Sequence, residues 1–286
     1  MQPTLGRTRL VAIMLVTLTM PLLSLVGGLA HQVTAAEMAD VKLKPGDELP
    51  RDVWVDALKY VDPAWHAVNG DWRLQEDEEE EGLITEPLPL SRIMLPFEME
   101  GDYEISAEFT RTDGNDHAFI LLPIGGRLSP LLLSGWGGQA HGLMRIDGFN
   151  SYDVDNPAQF RPGKLVNDRR YRVLVSVETK KTEATVKVSL DGKPIIHWSG
   201  RQSSLSVVPQ FALPYSQRPG VGAYEARVIF HRIALRSTSG KSRLAPLPVP
   251  PCRGEGGEGW TDLLADVDVN RDTIDGRWAR AGEGVA

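Results

Sequence analysis

A chain of 286 residues, 42% hydrophobic and 24% charged, has room for one or two domains and the make-up of an ordinary globular protein, not a disordered or fibrous one. Its net charge of −7 excludes a broad electrostatic attraction to nucleic acid or to anionic lipid. With Cys252 as its single cysteine it has no internal disulfide and rests on its core, while 28 Gly and 20 Pro favour short strands and turns over long helices.

Residues 1–36 read as a targeting segment. Arg7 and Arg9 precede an apolar run over residues 10–30, and Val33, Thr34, Ala35 and Ala36 supply small residues at its exit. That is the layout of a secretory signal peptide, with an uncleaved N-terminal membrane anchor as the alternative because the run is long. Either places the rest of the chain outside the cytoplasm, whether secreted, periplasmic or on the outer surface, with membrane contact only through the anchor. Residues 37–53 are polar and Pro-punctuated and read as a linker.

At Trp54 a motif begins that the chain uses twice. Trp54, Asp56, Leu58, Val61, Asp62, Gly70 and Trp72 match Trp260, Asp262, Leu264, Val267, Asp268, Gly276 and Trp278 without a gap. Self-similarity at a constant offset marks a repeated structural unit. Residues 54–238 are therefore expected to form one complete domain, and residues 260–286 the truncated start of a second.

Inside the first unit the run of acids from Glu76 to Glu81 reads as a solvated loop. Tyr103, Ile105, Ala107 and Phe109 then alternate with Glu104, Ser106, Glu108 and Thr110, the two-residue period of a half-buried strand. Residues 117–124 and 130–133 are unbroken apolar runs, as expected of strands inside a sandwich, and a further strand is expected over 143–146. Residues 170–177 and 184–190 alternate again, and Asp191-Gly192 is a tight hairpin turn leading to a return arm over 194–198. Residues 220–224 and 227–235 complete about ten strands with no convincing amphipathic helix. The expected fold class is all-β, two packed antiparallel sheets. Residues 239–259 are a linker, first Pro-rich and then Gly-rich.

The segments GDYEISAEFTR, VSVETKKTEATVKVSLDGKPIIHWSG and VGAYEARVIFHRIAL resemble the concanavalin A-like lectin/glucanase jelly roll, in particular the laminin G-like and 3-keto-disaccharide hydrolase-type domains of exported bacterial proteins. The resemblance covers residues 54–237. It implies a jelly-roll sandwich that holds a carbohydrate, with no cofactor required and with calcium in some members.

The residues themselves point to two places. Trp136, His141, Arg145 and Asp147, interspersed with Gly137, Gly138 and Gly142, bring an aromatic face, hydrogen-bond donors and an acceptor, which is the chemistry of a sugar site. Asp113, Asn115 and Asp116 supply oxygen ligands of the kind Ca²⁺ prefers, or else form a plain hairpin turn. A glycosidase needs two carboxylates about 5–5.5 Å or about 6.5–9.5 Å apart. The laminarinase-type Glu-x-Asp-x-x-Glu is absent, since Ser106 stands between Glu104 and Glu108. The leading expectation is an exported carbohydrate-binding or interaction module. The alternatives are a hydrolase of the 3-keto-disaccharide type, drawing acids from Glu108, Asp113, Asp116 and Asp147, and a structural spacer of a tandem-repeat surface protein. Limited proteolysis of the full chain is expected to cut first between Cys252 and Gly259 and to leave residues 54–237 intact. A linker that resists cleavage indicates instead that residues 260–278 complete the first domain.

Overall fold

The computed structural model describes residues 40–75 and 82–246, together with a backbone pairing of Arg280–Ala281 with Gly284–Val285. The leader-like residues 1–36, the acidic run and the remainder of the second motif lie outside the described residues. Strand β1 (Val55–Asp56) and helix α1 (Pro63–His66) lead into β2 (Ala67–Asn69), β3 (Trp72–Gln75), β4 (Gly82–Thr85), β5 (Ser91–Met94) and β6 (Phe97–Glu98). The long strand β7 (Tyr103–Gly114) is followed by the hairpin β8 (Ala118–Ile124) and β9 (Arg127–Ser134). Helix α2 (Gly135–Gly138), β10 (Ala140–Leu143) and β11 (Gln159–Phe160) come next. A meander of β12 (Arg170–Lys180), β13 (Glu183–Leu190) and β14 (Lys193–Arg201) precedes β15 (Gly220–Ala223), β16 (Ala226–Ser237) and β17 (Arg243–Leu244).

These strands form two antiparallel sheets. The first runs β14-β13-β12-β7-β16-β4-β3 with β1 added alongside β16, and the second runs β11-β10-β9-β8-β15-β5-β2. The chain passes repeatedly between them, β4 to β5, β7 to β8, β11 to β12, β14 to β15 and β15 to β16, which is the expected jelly-roll sandwich. Two four-residue α-helices and three short 3₁₀ turns are the helical pieces among the described residues.

Strand β7 sits at the centre of the first sheet, paired with β12 on one side and β16 on the other. Its Tyr103, Ile105, Ala107 and Phe109 point into the core, where Tyr171, Val173, Val175 and Val177 of β12 meet them. The Tyr103 hydroxyl donates to the Pro123 carbonyl at 2.7 Å and so ties the two sheets together. Outward, Glu108 lies directly opposite both Arg172 and Arg232 and accepts from each, while Glu104 lies opposite Arg236 and pairs with it. Strand β16 keeps Val228, Phe230, Ile233 and Leu235 in the core although their spacing breaks the two-residue period. A bulge between Phe230 and Arg232 inserts the extra residue that restores the phase.

The second sheet is buried on both faces. Ile120, Leu122, Leu131 and Leu133 face the main core. Phe119, Leu121, Leu128 and Leu132 face a second cluster closed by Phe211 and Leu213. Burial on both sides is why residues 117–124 show no alternation. The Asp191-Gly192 turn forms as expected, with φ of 50° and 76°.

The strand expected over 143–146 occurs three residues earlier, as β10. Arg145 takes a left-handed φ of 63° and ends the extended backbone. The segment expected as a linker before Trp54 lies against the sandwich. Leu49 is buried in the main core, and the Leu49 and Gly46 amides donate to Ser242 and Leu244. Trp54 covers Ala234 and Leu174 on the outer face of the first sheet, beneath the Arg236 guanidinium. Phe109 contacts both Tyr171 and Phe230 and is fully buried. Phe109→Ala is expected to cost about 3–5 kcal/mol, measurable as a lower denaturation midpoint at unchanged m-value.

Candidate functional site

The end of the sandwich where β7 turns into β8 is organised by a buried cation. Arg111, only 3% exposed, donates its Nε to the Asn167 side-chain oxygen at 2.6 Å and its Nη2 to the Leu165 carbonyl at 2.7 Å. Its Nη1 reaches the Asp116 carbonyl at 2.5 Å and the Ser134 hydroxyl at 3.3 Å. Burial pushes the guanidinium below its ordinary value, opposed by Tyr171 and Asp116. One side chain thereby fastens the turn after β7, the end of β9 and the segment 165–167. A buried charge is tolerable only where its donors are so satisfied.

On this anchor stands an aromatic crest. The Asp116 carboxylate accepts from His117 Nδ1 at 2.5 Å and from the Gly137 amide. Burial alone would raise its pKa; the His117 and Gly137 bonds win and hold it below the usual carboxylate value. The His117 ring lies parallel to Tyr224, centroids 5.4 Å apart and 4° between planes, and stacks on Trp136 at 6.4 Å and Phe211 at 6.1 Å. Trp136 in turn meets Tyr152 edge-on at 4.2 Å. Trp136, Tyr152 and Tyr224 are partly exposed, whereas His117 beneath them is buried.

The backbone here is held where bulky residues rarely sit. Ser134 (φ 77°), Trp136 (φ 52°) and Glu225 (φ 45°) are all left-handed. Such residues persist where the surroundings over-determine them, and they cluster at functional sites. A side chain at Gly138 (φ 93°) would press on Lys164, and one at Gly142 would meet the Ala158 carbonyl at 2.9 Å. Gly142, whose added Cβ would also lie 2.8 Å from Ser151 Cβ, lets the loop carrying Tyr152 approach.

The structure separates the residues that the sequence grouped. His141 is 3% exposed; its Nδ1 accepts from the Ser134 amide at 3.1 Å and its ring stacks on Phe160 at 6.2 Å. Burial drives its pKa from 6.5 to about 4, so it sits neutral within the sheet. Trp136 stands at the entry to β10, and Arg145 and Asp147 stand beyond its exit. Arg145 donates to the Gly148 carbonyl at 3.2 Å, and the Asp147 amide bonds Ser204. Of the quartet, Trp136 belongs to the crest, His141 supports it through Ser134, and Arg145 and Asp147 are fastened to segment 204–206.

Asp113 and Asn115 are exposed, Asp113 opposite Arg227 on β16, while the Asp116 carboxylate is turned to His117 and Gly137. Among the described residues no group of three or more His, Cys, Asp or Glu side chains gathers as around a metal. Asp113 lies in the last pleat of β7 and Asn115 in the bend that follows it. His117, Tyr152 and Tyr224 escaped the sequence reading. The adjacency of Asp116 and His117 at the head of an apolar run was the one local sign of them.

No protein-family model matches the chain, and no curated protein does. Among solved structures it is similar to the Emp46p carbohydrate recognition domain in its potassium-bound form, at 12% identity and TM-score 0.41, over 70% of this chain and 100% of that one. It is also similar to the exoplasmic/lumenal domain of VIP36 bound to Ca²⁺ and Man3GlcNAc, at 15% identity and TM-score 0.38, over 60% and 83%. Lectin I-B4 of Griffonia simplicifolia matches at 15% identity and TM-score 0.33, over 62% and 92%.

His141 makes stability pH-dependent. With a folded pKa near 4 against an ordinary 6.5, the unfolded chain takes up the proton first as pH falls. The stabilisation is complete above pH 6.5 and is lost progressively down to pH 4, a difference of roughly 3 kcal/mol. His66, whose pKa burial also lowers, acts in the same direction. A His141→Gln variant is therefore expected to lose less stability between pH 7 and pH 4 than the parent does, as read by denaturant unfolding at both pH values.

Proposed function

We propose that this chain is an exported carbohydrate-binding module and that its contact surface is the crest formed by Trp136, Tyr152 and Tyr224. The observation that carries this reading is the setting of Trp136: a partly exposed indole on left-handed backbone, braced from below by His117 and from the side by Tyr152. Aromatic faces accept the C–H face of a sugar ring, and rigid ones do so at little entropic cost. Around the rings the exposed Gln139 and Glu225 and the fixed Asp116 supply planar groups that hydrogen-bond hydroxyls. Export accords with the leader-like residues 1–36, and the motif repeated at Trp260 accords with modules strung in series.

Binding is favoured over hydrolysis by where the acids stand. Glu108 is clamped between Arg172 and Arg232 on the outer face of the first sheet, and Asp116 is engaged by His117 at the crest. Glu104 on the same face is likewise engaged, accepting from Arg236.

On a glycan array, Trp136→Ala is expected to weaken binding about tenfold or more, a difference of about 1.4 kcal/mol, with little change in melting temperature. A reducing-sugar assay on the hits is expected to show no turnover. A variant that binds normally but loses about 3 kcal/mol of stability makes Trp136 a packing residue and moves the site elsewhere.

A further inference from the structure

Strand β8 runs away from the crest for seven residues, roughly 23 Å at 3.3 Å per residue. At its far end the Gly125-Gly126 turn borders a groove of about 850 Å³. The opposite side of the groove is built by Glu98, Met99, Glu100 and Gly101, with Lys241 and Arg243 beside them. Lys181, in the turn before β13, and Gln202, just after β14, line it as well.

Its chemistry is narrow. Three acids (Glu48, Glu98, Glu100) face three cations (Lys181, Lys241, Arg243), so the groove carries no net charge to select an ion. Met99 and Pro123 are its apolar lining residues, too few to hold a lipid or an apolar side chain. The rest is hydroxyl, amide and backbone, and at Gly46 and Gly126 even a methyl group would meet open space.

One acceptor in it is rigid. Glu98 Oε1 accepts from Arg218 Nη2 at 3.1 Å, and Oε2 accepts from Arg243 Nε at 2.7 Å and Nη2 at 2.5 Å. Arg218 is 3% exposed and lies over the Tyr215 ring at 4.3 Å, so the carboxylate cannot swing toward it or away. Burial would raise the Glu98 pKa, but the two guanidiniums prevail and keep it charged. A fixed planar acceptor backed by a buried support is how a binding group is pre-organised.

We infer that this groove is a second ligand site, for an uncharged polyhydroxylated chain such as a short glycan segment, held by hydrogen bonds and without aromatic stacking. It lies at the other end of the sandwich from the crest and does not depend on the crest being a sugar site. Glu98 is the positioning residue, and Glu100 and Gln217, exposed on the lining, would meet hydroxyls.

The test is a titration of the full ¹⁵N-labelled chain with laminari-, xylo- and manno-oligosaccharides, followed by amide NMR. The expected result is saturable shifts at Gly101, Gly125, Gly126 and Thr179 with at least one series. Those shifts should persist in Trp136→Ala and weaken about tenfold in affinity in Glu100→Ala/Gln217→Ala. Glu100→Asp/Gln217→Asn, with the same hydrogen-bonding types one methylene shorter, guards against a folding defect and is expected to bind more tightly than the alanine pair. Shifts confined to residues around Trp136 and Tyr152 overturn this inference and leave the crest standing. No shift with any of the three series overturns both.

Discussion

The two-residue pleat of β7 is the constraint from which the rest of the sandwich follows. Because alternate side chains point to opposite faces, Tyr103, Ile105, Ala107 and Phe109 go into the core together, and Glu104 and Glu108 come out together. The neighbouring strands answer on both faces, with valines and Tyr171 inside and Arg172, Arg232 and Arg236 outside. A slip of one residue would place carboxylates in the core and phenylalanine in water, so the register of the first sheet is held from both sides at once. The outward arginines add specificity more than stability, since part-exposed ion pairs contribute only up to about 1 kcal/mol each.

The same strand ends in Arg111, where the packing problem becomes a polar one. Three chain segments with no periodic pattern meet at a buried guanidinium that offers five donors in a plane. Its partners are carbonyl, amide and hydroxyl oxygens, so the charge is met by dipoles rather than by a carboxylate. That leaves the Asp116 carboxylate free to engage His117, and His117 to carry the rings above it. The crest thus stands on a hydrogen-bonded base and not on a loop free to move.

Closure of the sheet faces decides where a ligand can go. The outer face of the second sheet is covered by Phe211 and Leu213, and part of the outer face of the first by Trp54 and the charged rows. The crest and the groove lie at the ends of the sandwich, and a smaller opening on the outer face of the first sheet is lined by Glu108, Arg172 and Asp191. One end presents rings and a few planar polar groups; the other presents a polar, charge-balanced groove. The two differ in chemistry because the first is built over a hydrophobic cluster and the second between turns and the segments that flank β6 and β17.

The sequence alone determined the class of fold, because alternation and tight turns are local. The period of residues 103–110, 170–177 and 184–190 reports which face is buried whatever lies opposite, and Asp191-Gly192 reverses the chain by its own φ preferences. It did not determine the phase of β16, since a bulge is set by the partner strand, nor the packing of residues 46–49 against 242–244. The glycine-rich stretch 136–147 drew attention to Trp136, which the structure places on left-handed backbone. Proximity in sequence then suggested His141, Arg145 and Asp147 as companions, but β10 carries Arg145 and Asp147 past its far end and His141 inward. The companions of Trp136 are His117, Tyr152 and Tyr224, brought from strand ends and a loop far apart in the chain. Only the pairing of β8 with β15 and the fold of the loop before β11 could place them together. Periodicity records which way a side chain faces; which other side chain it meets is a matter of inter-strand register, and that belongs to the tertiary structure.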